Sequence, residues 1–202
     1  MEKEKGVFMR KELSEGPQAV LKTLHETREE VKAAADLLRS LAGAGVERGF
    51  VIGSGTSFHA SLYLQYLLNR LTDFHATAVP ASEFAEWGPT RHTKYFIIGY
   101  SQSGESSDIV EAFKVAKAAG VKTIAITNTP GSTLTRISDA CIVTRAGEEK
   151  AVAATKTFDV QLTAALMLAY ELSGKQLGEL ERAAEAAENV LRVDSEIRSL
   201  AE

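Results

Sequence analysis

Residues 95–106 read Tyr95-Phe96-Ile97-Ile98-Gly99-Tyr100-Ser101-Gln102-Ser103-Gly104-Glu105-Ser106. The first six alternate in no way between apolar and polar, so they describe a strand buried on both faces. Strands of that kind belong to parallel sheets covered by helices. The next six place three hydroxyls, an amide, a glycine and a carboxylate directly behind the strand. An amphipathic stretch follows, with Ile109, Val110, Phe113 and Ala116 on one side and Glu111, Lys114 and Lys117 on the other.

The same grammar recurs on either side. Gly49-Phe50-Val51-Ile52-Gly53 is an apolar run followed by Ser54-Gly55-Thr56-Ser57 and a helical pattern to about Leu71. Further short runs lie at 76–80, 123–127 and 141–144, the last two separated by a helical piece around Leu134 to Ile137. Five apolar strands alternating with helices predict an α/β, three-layer, doubly wound sandwich. Its five-stranded sheet is mostly parallel, with helices on both faces. In such sheets ligands bind beyond the carboxyl ends of the strands. Loops 53–57 and 101–106 are therefore the candidate site.

Outside this unit, residues 1–8 read as a charged leader. Residues 9–45 read as a helical segment packing on the domain, with the pattern turning helical at Pro17 and ending at Gly43 and Gly45. The domain itself is expected over 46–175, closing with a helix from Thr155 to Leu172. Residues 176–202 read as a further helix that stops in mid-pattern at Ile197 and Leu200, like a linker to another domain. The apolar residues of the 18–41 and 176–202 helices predict a partner surface, most simply a homodimer.

Composition excludes several classes. In 202 residues, 45% are hydrophobic and 25% charged, which is the balance of a packed core and not of a disordered chain. The 27 acidic residues against 23 basic ones leave a net charge of −4, the wrong sign for a protein that grips a nucleic-acid backbone. Cys141 stands alone, and no Cys/His group has metal-ligand spacing; no metal and no cofactor are expected. Apolar stretches such as 162–172 are too short to cross a bilayer. The charged start does not resemble a signal peptide, so the expected place is the cytoplasm, with no membrane partner.

The 101–106 loop aims backbone amides, hydroxyls and a helix N-terminus at one point, an arrangement suited to a phosphate monoester. A serine capping the next helix is the simpler account, but three serines with Gln102 and Gly104 exceed what a cap needs. Loop 53–57 repeats the arrangement without the third glycine of a dinucleotide fingerprint or the lysine of a Walker loop. His59 reads as a structural histidine, and Thr155 as a helix cap with Lys156 opposing the helix dipole. Glu83, Glu86 and Trp87, with Arg91, read as a solvated loop; Tyr63 and Tyr66 read as a core or interface stripe.

Five motifs in this order resemble the sugar isomerase (SIS) domain family: Ser54-Gly55-Thr56-Ser57-Phe58-His59-Ala60, Ala81-Ser82-Glu83-Phe84, loop 101–106, Arg145-Ala146-Gly147, and Val152-Ala153-Ala154-Thr155-Lys156-Thr157-Phe158. They are most similar to the first such domain in the isomerase half of the glucosamine-6-phosphate synthase family and in two-domain amino-sugar phosphate deaminases and isomerases. The resemblance implies a hexose or amino-hexose 6-phosphate as ligand. Ser101, Gln102, Ser103, Ser106 and Ser57 would hold its phosphate. Thr56 and the backbones of Val152 and Ala153 would meet the sugar. Ala154 stands where the synthases carry a serine, and no N-terminal catalytic cysteine is present to hydrolyse glutamine. The resemblance also places the proton-shuttling glutamate, a lysine and the ring-opening histidine in a second SIS domain or across a subunit interface. In a homodimer, groups such as His59 or Glu83 would have to reach across. Of the two candidate loops, only 101–106 holds a carboxylate, Glu105, and it lies where a phosphate must fit, which disfavours it as the base. A non-catalytic, phosphosugar-binding regulatory module is the alternative.

Overall fold

A computed structural model describes residues 6–88, 94–193, 196–197 and 199. Five strands, β1 (Arg48–Gly53), β2 (His75–Pro80), β3 (Phe96–Ser101), β4 (Lys122–Thr127) and β5 (Ala140–Val143), form one sheet in the order β2-β1-β3-β4-β5. Every neighbouring pair runs parallel. All six residues of β3 are buried, which is why its sequence shows no alternation. From β1 the chain passes to one edge of the sheet, and from β3 it proceeds to the other. Their carboxyl ends therefore part, and the loops behind them open a crevice between.

The described residues form eight helices around the sheet, α1 (Val7–Glu26), α2 (Arg28–Gly43), α3 (Thr56–Leu71), α4 (Ala81–Trp87), α5 (Ser107–Ala118), α6 (Thr133–Ile137), α7 (Lys156–Ser173) and α8 (Gly178–Leu191), the last packed on α1. On one face, Leu24, Leu38, Leu64, Leu68, Met167 and Leu168 from α1, α2, α3 and α7 pack on Val51, Phe96, Ile98, Tyr100 and Ile124. On the other, Phe84, Ile109, Phe113 and Leu134 from α4, α5 and α6 pack on Ile52, Ile97 and Ala125. Successive strand residues supply opposite faces, so each strand serves both layers.

The amino-terminal region departs from its expected form. Residues 1–5 lie outside the described residues, but Val7 and Phe8 already belong to α1, so the helix precedes Pro17. A proline inside a helix removes one donor; here Gly16 and Pro17 are both buried, and the bare α-carbon of Gly16 lets Asp159 of α7 come close. The 9–45 segment is two helices, broken at Thr27, whose hydroxyl turns back to the Thr23 carbonyl at 2.6 Å. The expectation that the 18–41 stretch faces a partner fails, because Leu24, Val31, Ala34 and Leu38 are covered within the chain. The expected loop at Glu83, Glu86 and Trp87 is helix α4, fastened by Phe84 against Phe50 with ring centroids 5.1 Å apart; Arg91 lies outside the described residues.

Side chains close both edges of the sheet. Along the free edge of β2, the Ala76 amide donates to Asn69 Oδ1 at 2.7 Å and Asn69 Nδ2 donates to the Ala76 carbonyl at 3.0 Å. The Ala78 amide donates to Gln65 Oε1 at 2.6 Å. Gln65 and Asn69, one turn apart on α3, thus imitate a sixth strand. At the other edge, Glu30 accepts the Val143 amide at 2.6 Å and pairs with Arg145 at 2.7 Å. Unpaired edges invite other chains, and these residues leave no free ladder at the positions they occupy.

Asn69→Ala strands a donor and an acceptor on Ala76, so it is expected to destabilise the fold by about 1–3 kcal/mol. The midpoint of urea unfolding measures this. An unchanged midpoint would show that α3 does not seal the edge.

Candidate functional site

The 101–106 loop leaves the end of β3 and enters the first turn of α5. Gly104 turns it, with φ of +68°; a Cβ there would lie 2.1 Å from Ser132 Oγ and 2.9 Å from Thr127 Oγ1. Only glycine satisfies both the conformation and the approach. The Gly104 amide folds back on Ser101, 3.0 Å from its hydroxyl, and the Glu105 amide donates to Ser103 Oγ at 3.2 Å. Ser106 occupies the N-cap position of α5 but makes no side-chain cap hydrogen bond. Its hydroxyl lies 2.9 Å from that of Ser101. The simple capping account therefore fails, and the first-turn amides of α5, which helix geometry leaves without carbonyl partners, face the loop uncapped by either Ser106 or Ser107.

Loop 53–57 stands across the crevice. Gly53 lets the first turn of α3 fold tightly onto the strand end, since a Cβ would lie 2.6 Å from the Ser57 carbonyl oxygen. Ser57 Oγ accepts a hydrogen bond from Gln161 Nε2 of α7 at 3.0 Å. Gln161 is buried, and the bond leaves the Ser57 hydroxyl proton free to be given to a ligand. Thr56, Ser57, Gln102, Glu149, Ala151, Val152, Ala154, Thr157 and Gln161 line a cleft of about 110 Å³. Four of the expected residues therefore meet: Thr56, Ser57, Gln102 and Val152. Ser101, Ser103 and Ser106 form the adjoining loop, with Ser101 buried beneath it and Ser103 exposed, and Gln102 joins the two parts. Ala153 is exposed and does not line the cleft.

The third wall, residues 149–157, is held by charge. Glu149 accepts the Thr155 amide and hydroxyl, each at 2.8 Å, and bonds the amide and hydroxyl of Thr157. Burial alone would raise this carboxyl, but the hydrogen bonds from Thr157 and Thr155 outweigh it and hold it below the ordinary value. Glu149, not Thr155, caps α7. Glu12 of α1 takes the amides of Lys150 and Ala151, and the buried Lys156 ammonium pairs with Glu15 at 2.6 Å. That bond, the largest influence on Glu15, draws its carboxyl down. Lys156 thereby ties α7 to α1.

Glu149, Thr157 and Gln161 escape the sequence reading. A signal for the latter two exists, since they are polar residues one turn apart on the otherwise apolar face of α7. A larger hollow of about 560 Å³ lies beside Glu105, Ser107 and Thr133; two others, about 570 and 980 Å³, lie at the amino ends of the strands beside Arg39 and Arg70 and beside Arg48 and His75. The latter two face away from the crevice where the loops converge, so size does not decide the site. Burial pushes the Cys141 thiol up to about 12, which makes it inert. Among the described residues no group of three His, Cys, Asp or Glu could hold a metal, and no helix is long and apolar enough to cross a membrane.

Comparison with known proteins follows the same lines. The family model for the SIS domain matches residues 44–170. A glutamine–fructose-6-phosphate aminotransferase (isomerizing) of Thermococcus kodakarensis is 38% identical over 208 residues, covering 96% of this chain and 34% of that protein. The chain thus spans about a third of the length of the curated relatives it matches. Among solved structures, a provisionally assigned phosphosugar isomerase from Silicibacter pomeroyi superposes with a TM-score of 0.81 at 30% identity, over 92% of this chain and 57% of that one. The C-terminal domain of glucosamine-fructose-6-phosphate aminotransferase from Francisella tularensis gives 0.76 at 25% identity, over 98% of this chain and 60% of that one.

Gly104→Ala places a methyl group against Ser132 and Thr127 in a left-handed backbone. It is expected to cost about 1–3 kcal/mol and to displace the loop. Thermal unfolding and the amide resonances of residues 101–106 report both effects. Unperturbed resonances would contradict the geometry.

Proposed function

We propose that this chain, which belongs to the SIS domain family, is the phosphosugar-gripping part of a sugar-phosphate aldose–ketose isomerase or amino-sugar phosphate deaminase. The ligand is a hexose or amino-hexose 6-phosphate. Its phosphate sits on Ser101, Gln102, Ser103 and Ser106 at the start of α5, with Ser57 closing from the facing loop. Its sugar extends past Thr56 toward the backbone of Val152. The observation that carries the reading is the convergence of the uncapped α5 amides, the hydroxyl loop and the cleft at one strand switch point.

The grip contains no Lys or Arg, so it works through dipoles and hydrogen bonds. Ala154 lines the cleft where the resemblance places a serine in the synthases, so one sugar contact is replaced by an apolar wall. The arrangement of domains follows from the same reading: an SIS domain over 46–175, helices 9–45 packed on it, and 176–202 leading toward a second SIS domain.

The carboxylate of loop 101–106 and that of the cleft are both engaged. Glu105 bonds the Thr133 amide, and Glu149 bonds four donors with its pKa lowered, which suits a cap and not a base. The proton-transferring base therefore comes from a second SIS domain or a second copy of the chain. The exposed Val7, Phe8, Met9 and Leu13 at the start of α1 favour a homodimer. The cytoplasm, where sugar phosphates are made and used, is the proposed location. The same engaged carboxylates favour a second reading, a non-catalytic phosphosugar-binding regulatory module.

In calorimetry with fructose 6-phosphate and glucosamine 6-phosphate, Ser103→Ala is expected to weaken binding roughly ten- to a hundredfold, the scale of one hydrogen bond to a charged group. The fold should be unchanged by circular dichroism. Unaltered affinity for both sugars would remove the loop from the site.

A further inference from the structure

Loop 101–106 carries a carboxylate where a dianion is to be received, and the structure accounts for it. Glu105 Oε1 accepts the backbone amide of Thr133, the first residue of α6, at 2.8 Å. The bond from Thr133 is the largest influence on this carboxyl and, with Arg136 nearby, holds it below the ordinary carboxylate range. The charge is thus directed at the β4–α6 turn. The rest of the loop is fastened to the same turn. The Gln102 carbonyl accepts the Asn128 amide at 3.1 Å and the hydroxyls of Thr127 and Thr129, each at 3.3 Å. The Gly104 carbonyl accepts the Leu134 amide at 3.1 Å. Against the Gly104 α-carbon lies the Ser132 hydroxyl, buried and without a hydrogen-bond partner among the described residues.

The peptide bonds here are trans. In a planar trans peptide the carbonyl and the following amide point in opposite directions. Pinning the carbonyls of Gln102 and Gly104 to the turn therefore points the amides of Ser103 and Glu105 away from it, the Glu105 amide toward the exposed Ser103 hydroxyl, which accepts it at 3.2 Å until a ligand takes its place. We infer that Glu105 is a positioning residue: by anchoring loop 101–106 to α6 through Thr133, it orients the loop's amides for the phosphate without touching it. The inference rests on the phosphosugar reading above and adds to it the β4–α6 turn as the element that shapes the grip.

The test compares Glu105→Ala with Glu105→Gln, which keeps an oxygen for the Thr133 amide. In calorimetry with fructose 6-phosphate, Glu105→Ala binds about tenfold more weakly, while Glu105→Gln stays within about twofold of the unmodified chain. Amide hydrogen exchange without ligand reads the anchor directly: Thr133 and Leu134 lose protection in Glu105→Ala and keep it in Glu105→Gln. Unchanged affinity in Glu105→Ala, or an equal loss in both variants, overturns the positioning role. If the unmodified chain binds no fructose 6-phosphate while Thr133 protection still depends on Glu105, the phosphosugar reading itself is overturned, and the positioning of that ligand with it.

Discussion

Three donors converge on the carbonyl oxygen of Gln102, and a fourth holds that of Gly104. These bonds fix the orientation of two peptide planes at the end of the central strand. The direction in which loop 101–106 presents its amides follows from that constraint. A loop free to rotate would offer its carbonyls as readily as its amides to a ligand, and an anion would gain nothing from it. The sheet places β3 and β4 in register so that Ser101 lies beside Thr127. The turn behind β4 is thereby delivered to the loop behind β3. Parallel pairing, the left-handed Gly104 and the short helix α6 are parts of one device.

The layered architecture was legible because burial on both faces writes itself as unbroken apolar runs. Phe96, Ile97 and Ile98 face alternate layers, and no solvent-facing residue interrupts them. Helix boundaries near the site were legible too, since glycine and serine mark them. Other features depended on contacts between distant segments. The helix through Pro17 forms because α7 packs against that face of α1, with Asp159 against Gly16, which local propensity does not record. Phe84 turns a polar stretch into helix α4 by packing on Phe50. Gln65 and Asn69 read as ordinary surface residues until β2 is placed beside them.

The site was half legible. Serine, threonine and glycine behind two strands mark the two loops, and the fold brings Thr56, Ser57 and Gln102 of those loops to one cleft. The third wall did not announce itself. Glu149 reads as one charge in the sequence Glu148-Glu149-Lys150, and only the fold shows that it closes the amino end of α7. Glu12, Glu15 and Lys156 likewise join α1 to the 150–156 segment across more than a hundred residues of chain. The acidic side chains around the crevice thus hold backbone in place.

A crystal structure of the chain with fructose 6-phosphate examines the central claim most directly. The account predicts the phosphorus atom at the start of α5, enclosed by the Ser103 and Glu105 amides, with the Glu105 amide released from Ser103 Oγ, the Ser101–Ser106 hydroxyl pair opened toward it and the sugar lying in the cleft beside Gln102. A phosphate bound at the amino ends of the strands, with that hydroxyl pair intact, would contradict it.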